Sequence, residues 1–243
     1  MQPLEHLWLG RVPYAAAWDL QRLLAAARAR GEVGDVVLLL EHPPVYTMGR
    51  TGSPEHVPSG PEALRALGAD YLDVDRGGSV TFHGPGQLVA YPIVDLAGIF
   101  PLREDPRRGD VLAHLRALEE ALIATVAAYG VAAARRPPYT GIWVGGAKLA
   151  AIGVKLAAGG VTTHGAALNV TTDLSWFAEV VPCGIPAAGV ASMVSLGVRP
   201  APPLEDIGVR LATELGRITG RRAVRAGDAV RAVAADVLAA QPA

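Results

Sequence analysis

The chain has 243 residues, 51% hydrophobic and 19% charged, with a net charge of −1. That is enough apolar material for one domain or two small ones, and it excludes a disordered chain. Near-neutrality excludes the global basic field that drives non-specific nucleic-acid binding. The single cysteine, Cys183, excludes an internal disulfide, so a reducing cytoplasm is the expected setting. Only two of the 22 basic residues are lysine, Lys148 and Lys155.

The start, Met1-Gln2-Pro3-Leu4-Glu5-His6, lacks the basic and apolar regions of a signal peptide. Residues 15–30 read as a helix with an apolar face of Trp18, Leu20, Leu23, Leu24 and Ala27. The run Val36-Val37-Leu38-Leu39-Leu40 predicts a buried strand, ended by His42-Pro43-Pro44. Residues 61–67 read as a short helix with Pro61 near its start. Residues 71–75 and 87–94 read as strands joined by a glycine-rich loop over 76–86. The clearest helix spans 110–129, with Val111, Leu115, Leu118, Leu122 and Val126 on one face and Gly130 as its stop.

Residues 141–155 predict a hairpin turning on Gly145-Gly146, and 161–170 a further strand. The uncharged stretch 180–198 is broken by two prolines and three glycines, which argues against a membrane helix. Amphipathic helices are predicted over 204–218 and 228–240. Without strict βαβ alternation, this order predicts an α/β chain of the α+β kind, a mixed or antiparallel sheet with packed helices.

Three segments bear chemistry. Arg76-Gly77-Gly78-Ser79-Val80-Thr81-Phe82-His83-Gly84-Pro85-Gly86-Gln87 lets backbone approach a ligand closely, though an ordinary long hairpin loop would look similar. In Gly146-Ala147-Lys148-Leu149-Ala150-Ala151-Ile152-Gly153-Val154-Lys155, strand alternation puts the two lysines on opposite faces, so one at most serves a given site. The third comprises His164-Gly165-Ala166-Ala167-Leu168-Asn169, then Pro182-Cys183-Gly184-Ile185. Here Cys183 is either a buried structural cysteine or a thiol activated by a nearby lysine. His83, His164 and Cys183 lack the short paired spacings of a metal site, so no metal is expected.

Together these segments resemble the lipoyl(octanoyl) transferase family. The resemblance lies in Arg-Gly-Gly-x-x-Thr-x-His-Gly-Pro-Gly-Gln-Leu at 76–88, Tyr91-Pro92, Lys148-x-Ala-Ala-Ile-Gly, His164-Gly165, Ala167-Leu168-Asn169 and Pro182-Cys183-Gly184-Ile185. It spans about residues 4–218; one departure is Val190-Ala191-Ser192-Met193, where the family often has Val-Thr-Ser-Leu. The resemblance implies a biotin/lipoate ligase-like fold, with a catalytic domain over 1–220 and a helical extension over 221–243. It implies octanoyl transfer from acyl carrier protein to a lysine of lipoyl domains, namely the glycine cleavage H protein and the E2 subunits of 2-oxoacid dehydrogenases. Cys183 is then the acyl-accepting nucleophile and Lys148 lowers its pKa. Arg76, Gly77, Gly78, Ser79, Val80, Thr81, Phe82 and His83 would line the acyl site with Ala151, Ile152, Gly153, Gly165, Ala166 and Ala167. No cofactor beyond the carrier's phosphopantetheine is implied, and the chain is expected to act as a monomer. An ATP-dependent ligase of the same fold is the nearest alternative; a thiol hydrolase and a non-enzymatic acyl binder are more distant ones.

Overall fold

The structure, a computed structural model, describes residues 2–180 and 189–240. In chain order the first half holds β1 (Leu4–Arg11), α1 (Tyr14–Ala29), β2 (Val36–Glu41), β3 (Val45–Met48), α2 (Gly60–Ala66), β4 (Asp70–Asp73), β5 (Val80–His83), β6 (Gln87–Ile93) and α3 (Leu96–Ile99). The second half holds α4 (Val111–Ala127), β7 (Ala134–Arg136), β8 (Tyr139–Val144), β9 (Ala147–Leu156), β10 (Thr162–Asn169), β11 (Gly189–Val190), α5 (Leu204–Ile218), β12 (Ala223–Arg225) and α6 (Asp228–Ala239).

Among the described residues the strands form two sheets. The larger is nine-stranded in the order β12-β1-β2-β6-β10-β9-β8-β7, with β11 beside β9; the smaller is β4-β3-β5. The large sheet is mixed: β12, β1 and β2 run parallel, while β2 through β7 pair antiparallel along the order.

The continuous apolar run of β2 is explained by burial on both faces. Val37 and Leu39 pack with α4 and α5, through Leu118, Leu122, Leu211 and Leu215. Val36, Leu38 and Leu40 pack against α1 and α6, through Leu20, Leu24, Val230 and Ala234. A strand with helices on both faces has no polar face, so alternation vanishes from its sequence. In α4, Asp110 caps the N-terminus by accepting from the Ala113 N–H at 3.0 Å. Gly130 adopts φ +79° just beyond its end, as predicted.

Two segments differ from the sequence expectation. The stretch 76–86 is not all loop: it contains β5, which pairs antiparallel with β3 to make the small sheet. The C-terminal residues are not only helical: β12 adds a parallel edge strand to β1, pairing Leu4 with Ala223, before α6 covers α1. That edge is fastened by Asp35, 1% exposed. Its carboxylate accepts from Arg28 Nε at 2.6 Å, from the Asp95 N–H at 2.9 Å, and from Arg221.

Removing one partner of a buried ion pair leaves an uncompensated charge. Asp35→Ala strands the buried Arg221 guanidinium and is expected to cost about 3–5 kcal/mol. A urea unfolding midpoint unchanged from the parent protein would contradict this account of the C-terminal edge.

Candidate active site

The small sheet leans over β9 and β10 and encloses a cavity of about 500 Å³. Glycine makes the close approach possible. Gly153 of β9 pairs with Gly165 of β10. A Cβ on Gly165 would lie 2.1 Å from the Ala90 carbonyl oxygen, and one on Gly153 would lie 2.8 Å from the Gly77 carbonyl oxygen. The Gly77 N–H donates to the Val154 carbonyl at 3.0 Å, so the turn before β5 docks backbone to backbone on β9. Arg76 is buried beneath this turn. Its Nη2 donates to the Thr47 carbonyl at 2.6 Å and to Thr47 Oγ1 at 2.8 Å, and its Nη1 donates to the Gly77 carbonyl at 3.0 Å.

The cavity wall contains Arg76, Gly77, Gly78, Ser79, Val80, Thr81 and His83, together with Ala151, Ile152, Gly153, Gly165, Ala166 and Ala167. Phe82 does not line it. Alternation along β5 turns Phe82 into the core of the small sheet, stacked on Trp176 with ring centroids 5.2 Å apart. Lys148 lines the cavity, 9% exposed, with its Nζ 4.8 Å from the Trp143 ring centroid. Cys183 lies outside the described residues.

The two lysines do not sit on opposite faces as alternation predicts. Ile142 pairs with Ala150, but Trp143 pairs with Lys148, so β9 carries one extra residue, Leu149. Leu149 and Ala150 both enter the core under α4. A bulge of one residue reverses the alternation beyond it, and Lys148 and Lys155 share a face. Different partners separate them: Lys155 is ion-paired with Asp75, and it does not line the cavity.

Hydrogen-bond directions fix the protons of the two cavity histidines. Asn169 Nδ2 donates to the Ala191 carbonyl at 3.0 Å, and its Oδ1 accepts from Gln87 Nε2 at 2.9 Å. Gln87 therefore turns its Oε1 toward His83, which must donate from Nδ1, at 2.8 Å. His83 keeps a lone pair on Nε2, and burial, with His42 and Arg76 nearby, holds its pKa well below the usual 6.5. In His164, Nε2 lies 2.8 Å from the Asp75 carboxylate and so carries the proton. Its Nδ1 then accepts from the Tyr14 hydroxyl at 3.2 Å. His164 adopts φ +57°, a strained conformation for a side chain of this size, and its N–H is held by Gln21 Oε1 at 2.6 Å. Burial lowers its pKa against the pull of Asp75, and burial pushes the Tyr14 hydroxyl up to about 12.

Sequence reasoning did not find Tyr14, Gln87, Asp75 or Trp143 as site residues. Gln87 stood inside the glycine-rich motif but suggested no role. Tyr14 reaches His164 across 150 positions, which no local spacing reports. Among the described residues no group of three or more His, Cys, Asp or Glu could hold a metal ion, and no helix is long and apolar enough to cross a membrane.

Residues 13–216 match the family described as the lipoyl protein ligase A/B catalytic domain. An octanoyltransferase of Chloroflexus aurantiacus is 47% identical over 220 residues, covering 90% of this chain and 95% of that one. An octanoyltransferase of Rubrobacter xylanophilus is 51% identical over 185 residues, covering 76% and 79%. The chain belongs to the octanoyltransferase family. It is thus an acyltransferase, as its motifs led us to expect. Among solved structures, a lipoate-protein ligase A bound with ATP superimposes with a TM-score of 0.69 at 14% identity, covering 99% of this chain and 96% of that one. A biotin protein ligase from Aquifex aeolicus gives 0.52 at 11% identity, covering 89% and 70%. These two likenesses establish the mixed α/β fold expected from the sequence.

The octanoyltransferase carries further buried histidines. His42 donates from Nδ1 to the Val12 carbonyl at 2.6 Å and accepts from the Tyr91 hydroxyl at 2.8 Å on Nε2; burial lowers its pKa to about 4. Burial does the same to His114, also to about 4. Above pH 6.5 these rings are neutral in both the folded and unfolded chain. Below it, the unfolded chain binds protons that the folded one refuses, so stability falls with pH. His42 and His114 are each expected to remove on the order of 3 kcal/mol between pH 6.5 and 4. Urea midpoints at pH 7.5 and 5 should reflect that loss, and His114→Leu should flatten the slope. Equal midpoints in the parent protein would refute the neutral burial of these rings.

Proposed function

We propose that this octanoyltransferase moves an octanoyl group from acyl carrier protein to a lysine of a lipoyl domain, through a thioester on Cys183 and without ATP. The observation that carries this reading is the position of Lys148. It stands in the cavity wall, paired with Val190, a few residues after Cys183 in the chain. Phe177, three residues before Val180, lines the cavity. Beyond Cys183, Gly189 and Val190 pair with Ala147 and Lys148, and the Ala191 N–H donates to the Lys148 carbonyl at 3.0 Å.

The chemistry balances with these groups and water. The Lys148 ammonium favours the Cys183 thiolate, and the thiolate attacks the carrier thioester. The carbon–sulfur bond to the carrier breaks, and Lys148 gives its proton to the leaving thiolate. The acceptor ammonium gives one proton to Lys148 and attacks the Cys183 thioester as the amine; the nitrogen's second proton passes to water as the amide forms, and the Cys183 sulfur leaves as thiolate. Thioester-to-amide exchange runs downhill, which supports a reaction needing neither nucleotide nor further cofactor. The eight-carbon chain finds small apolar walls in Ala151, Ala166 and Ala167. His83, neutral with its Nε2 lone pair, is suited to accept a hydrogen bond from the incoming amine.

The test mixes purified protein with octanoyl-acyl carrier protein, without ATP, and reads intact and peptide masses. One octanoyl group on the Cys183 peptide, discharged by adding a lipoyl domain, is the expected result. No adduct, but domain modification from free octanoate plus ATP, would establish the ligase chemistry instead. Cys183→Ser should lower turnover by about a thousandfold or more. Lys148→Arg should lower it by about a hundredfold or more, since guanidinium holds charge but does not shuttle protons. Lys155→Arg, which keeps the ion pair with Asp75, should be nearly silent.

A further inference from the structure

The edge of the large sheet carries a second cation next to the cavity. β7 is exposed along its whole length. Its two arginines have different fates. Arg135 is engaged with Glu119 at 2.9 Å and Glu120 at 2.8 Å. Arg136 has no carboxylate partner among the described residues; its Nη1 donates to the Gly146 carbonyl at 3.4 Å.

Arg136 is nevertheless positioned. Its guanidinium carbon sits 5.0 Å from the Trp143 ring centroid and 5.7 Å from that of Tyr139. Both rings line the cavity. Stacking on two aromatic faces orders a long side chain before any ligand arrives, and it leaves the planar fork to meet an anion. Lys148 lies over the same indole at 4.8 Å, so the two cationic groups are no more than about 10 Å apart.

The stacked guanidinium sets a condition on the acceptor. A lysine ammonium entering here meets like charge from the fixed Arg136 guanidinium, which disfavours an ordinary surface lysine. An acceptor that brings a carboxylate beside its lysine cancels the repulsion and gives Arg136 a bidentate partner. The span fits that arrangement, because consecutive Cα atoms are about 3.8 Å apart and a neighbour's side chain reaches a few ångströms further. The phosphate of a carrier's pantetheine arm fits poorly. It lies two amide units and the pantoyl carbons beyond the sulfur, well outside the span.

We propose that Arg136 is an acceptor-selecting residue, whose guanidinium takes the carboxylate of an acidic side chain adjacent to the target lysine on the acceptor domain. This rests on the transfer reaction proposed above. The experiment separates the two half-reactions: octanoyl loading from acyl carrier protein by mass, then discharge to a lipoyl domain by kcat/KM. Arg136→Glu should slow discharge about tenfold or more relative to loading. Replacing the acidic neighbour of the target lysine by Arg should slow discharge with the parent enzyme and restore it with Arg136→Glu. Loading and discharge falling together, loading falling alone, or a charge-swapped pair no better than either single change would each overturn the assignment. A parent enzyme that never loads would instead bring down the transfer reaction itself, and this inference with it.

Discussion

The cavity depends on backbones meeting without side chains between them. The Gly77 N–H reaches the Val154 carbonyl, Gly153 leaves room for the Gly77 carbonyl, and Gly165 leaves room for that of Ala90. A single methyl at either of the last two would force the small sheet away from β9 or β10 away from β6. Everything around the site follows from this contact. It holds Arg76 buried beneath the Gly77 turn and brings that turn into the cavity wall. The glycine-rich motif is therefore a docking device between two sheets, and its role as a wall of the site comes from that docking.

The second constraint is electrostatic. The cavity is ringed by polar groups, yet each hydrogen bond leads to a neutral ring or a short, closed network. Asn169 and Gln87 pass the orientation of the Ala191 carbonyl to His83. Asp75 ends the other network, holding His164 and Lys155 together. The histidines stay neutral because burial penalises their charged forms. The cationic character of the site is thereby concentrated on Lys148, Arg76 and the rim rather than spread over the imidazoles.

The central strand, the long helices and the hairpin could be read from the sequence because each has a local signature: an unbroken apolar run, a 3.6-residue period, a Gly-Gly turn. β1, β3, β5 and β12 carried none. β3 is four residues long and follows two prolines, β5 is embedded among glycines, and β1 and β12 acquire meaning only when paired with each other across the length of the chain. The site motifs were visible, and most of them line one cavity. Phe82 was misassigned because a contiguous motif on a strand alternates between wall and core. The faces of the two lysines were misread because a bulge at Leu149 leaves no mark in composition or period. Tyr14 and Trp143 were out of reach, since their parts in the site arise from tertiary contact alone.

The scarcity of lysine has a chemical consequence. On the transfer proposed above, the chain carries an activated acyl ester beside an amine-accepting site and runs the risk of acylating itself. Here the whole chain offers two side-chain amines. One is part of the cavity wall, packed on an indole face. The other is neutralised by an aspartate that also holds a histidine. The other basic side chains, apart from histidine, are guanidinium, which is not acylated by a thioester under ordinary conditions. Under that proposal, the surface would meet its partners through side-chain cations that are chemically inert toward the group being transferred.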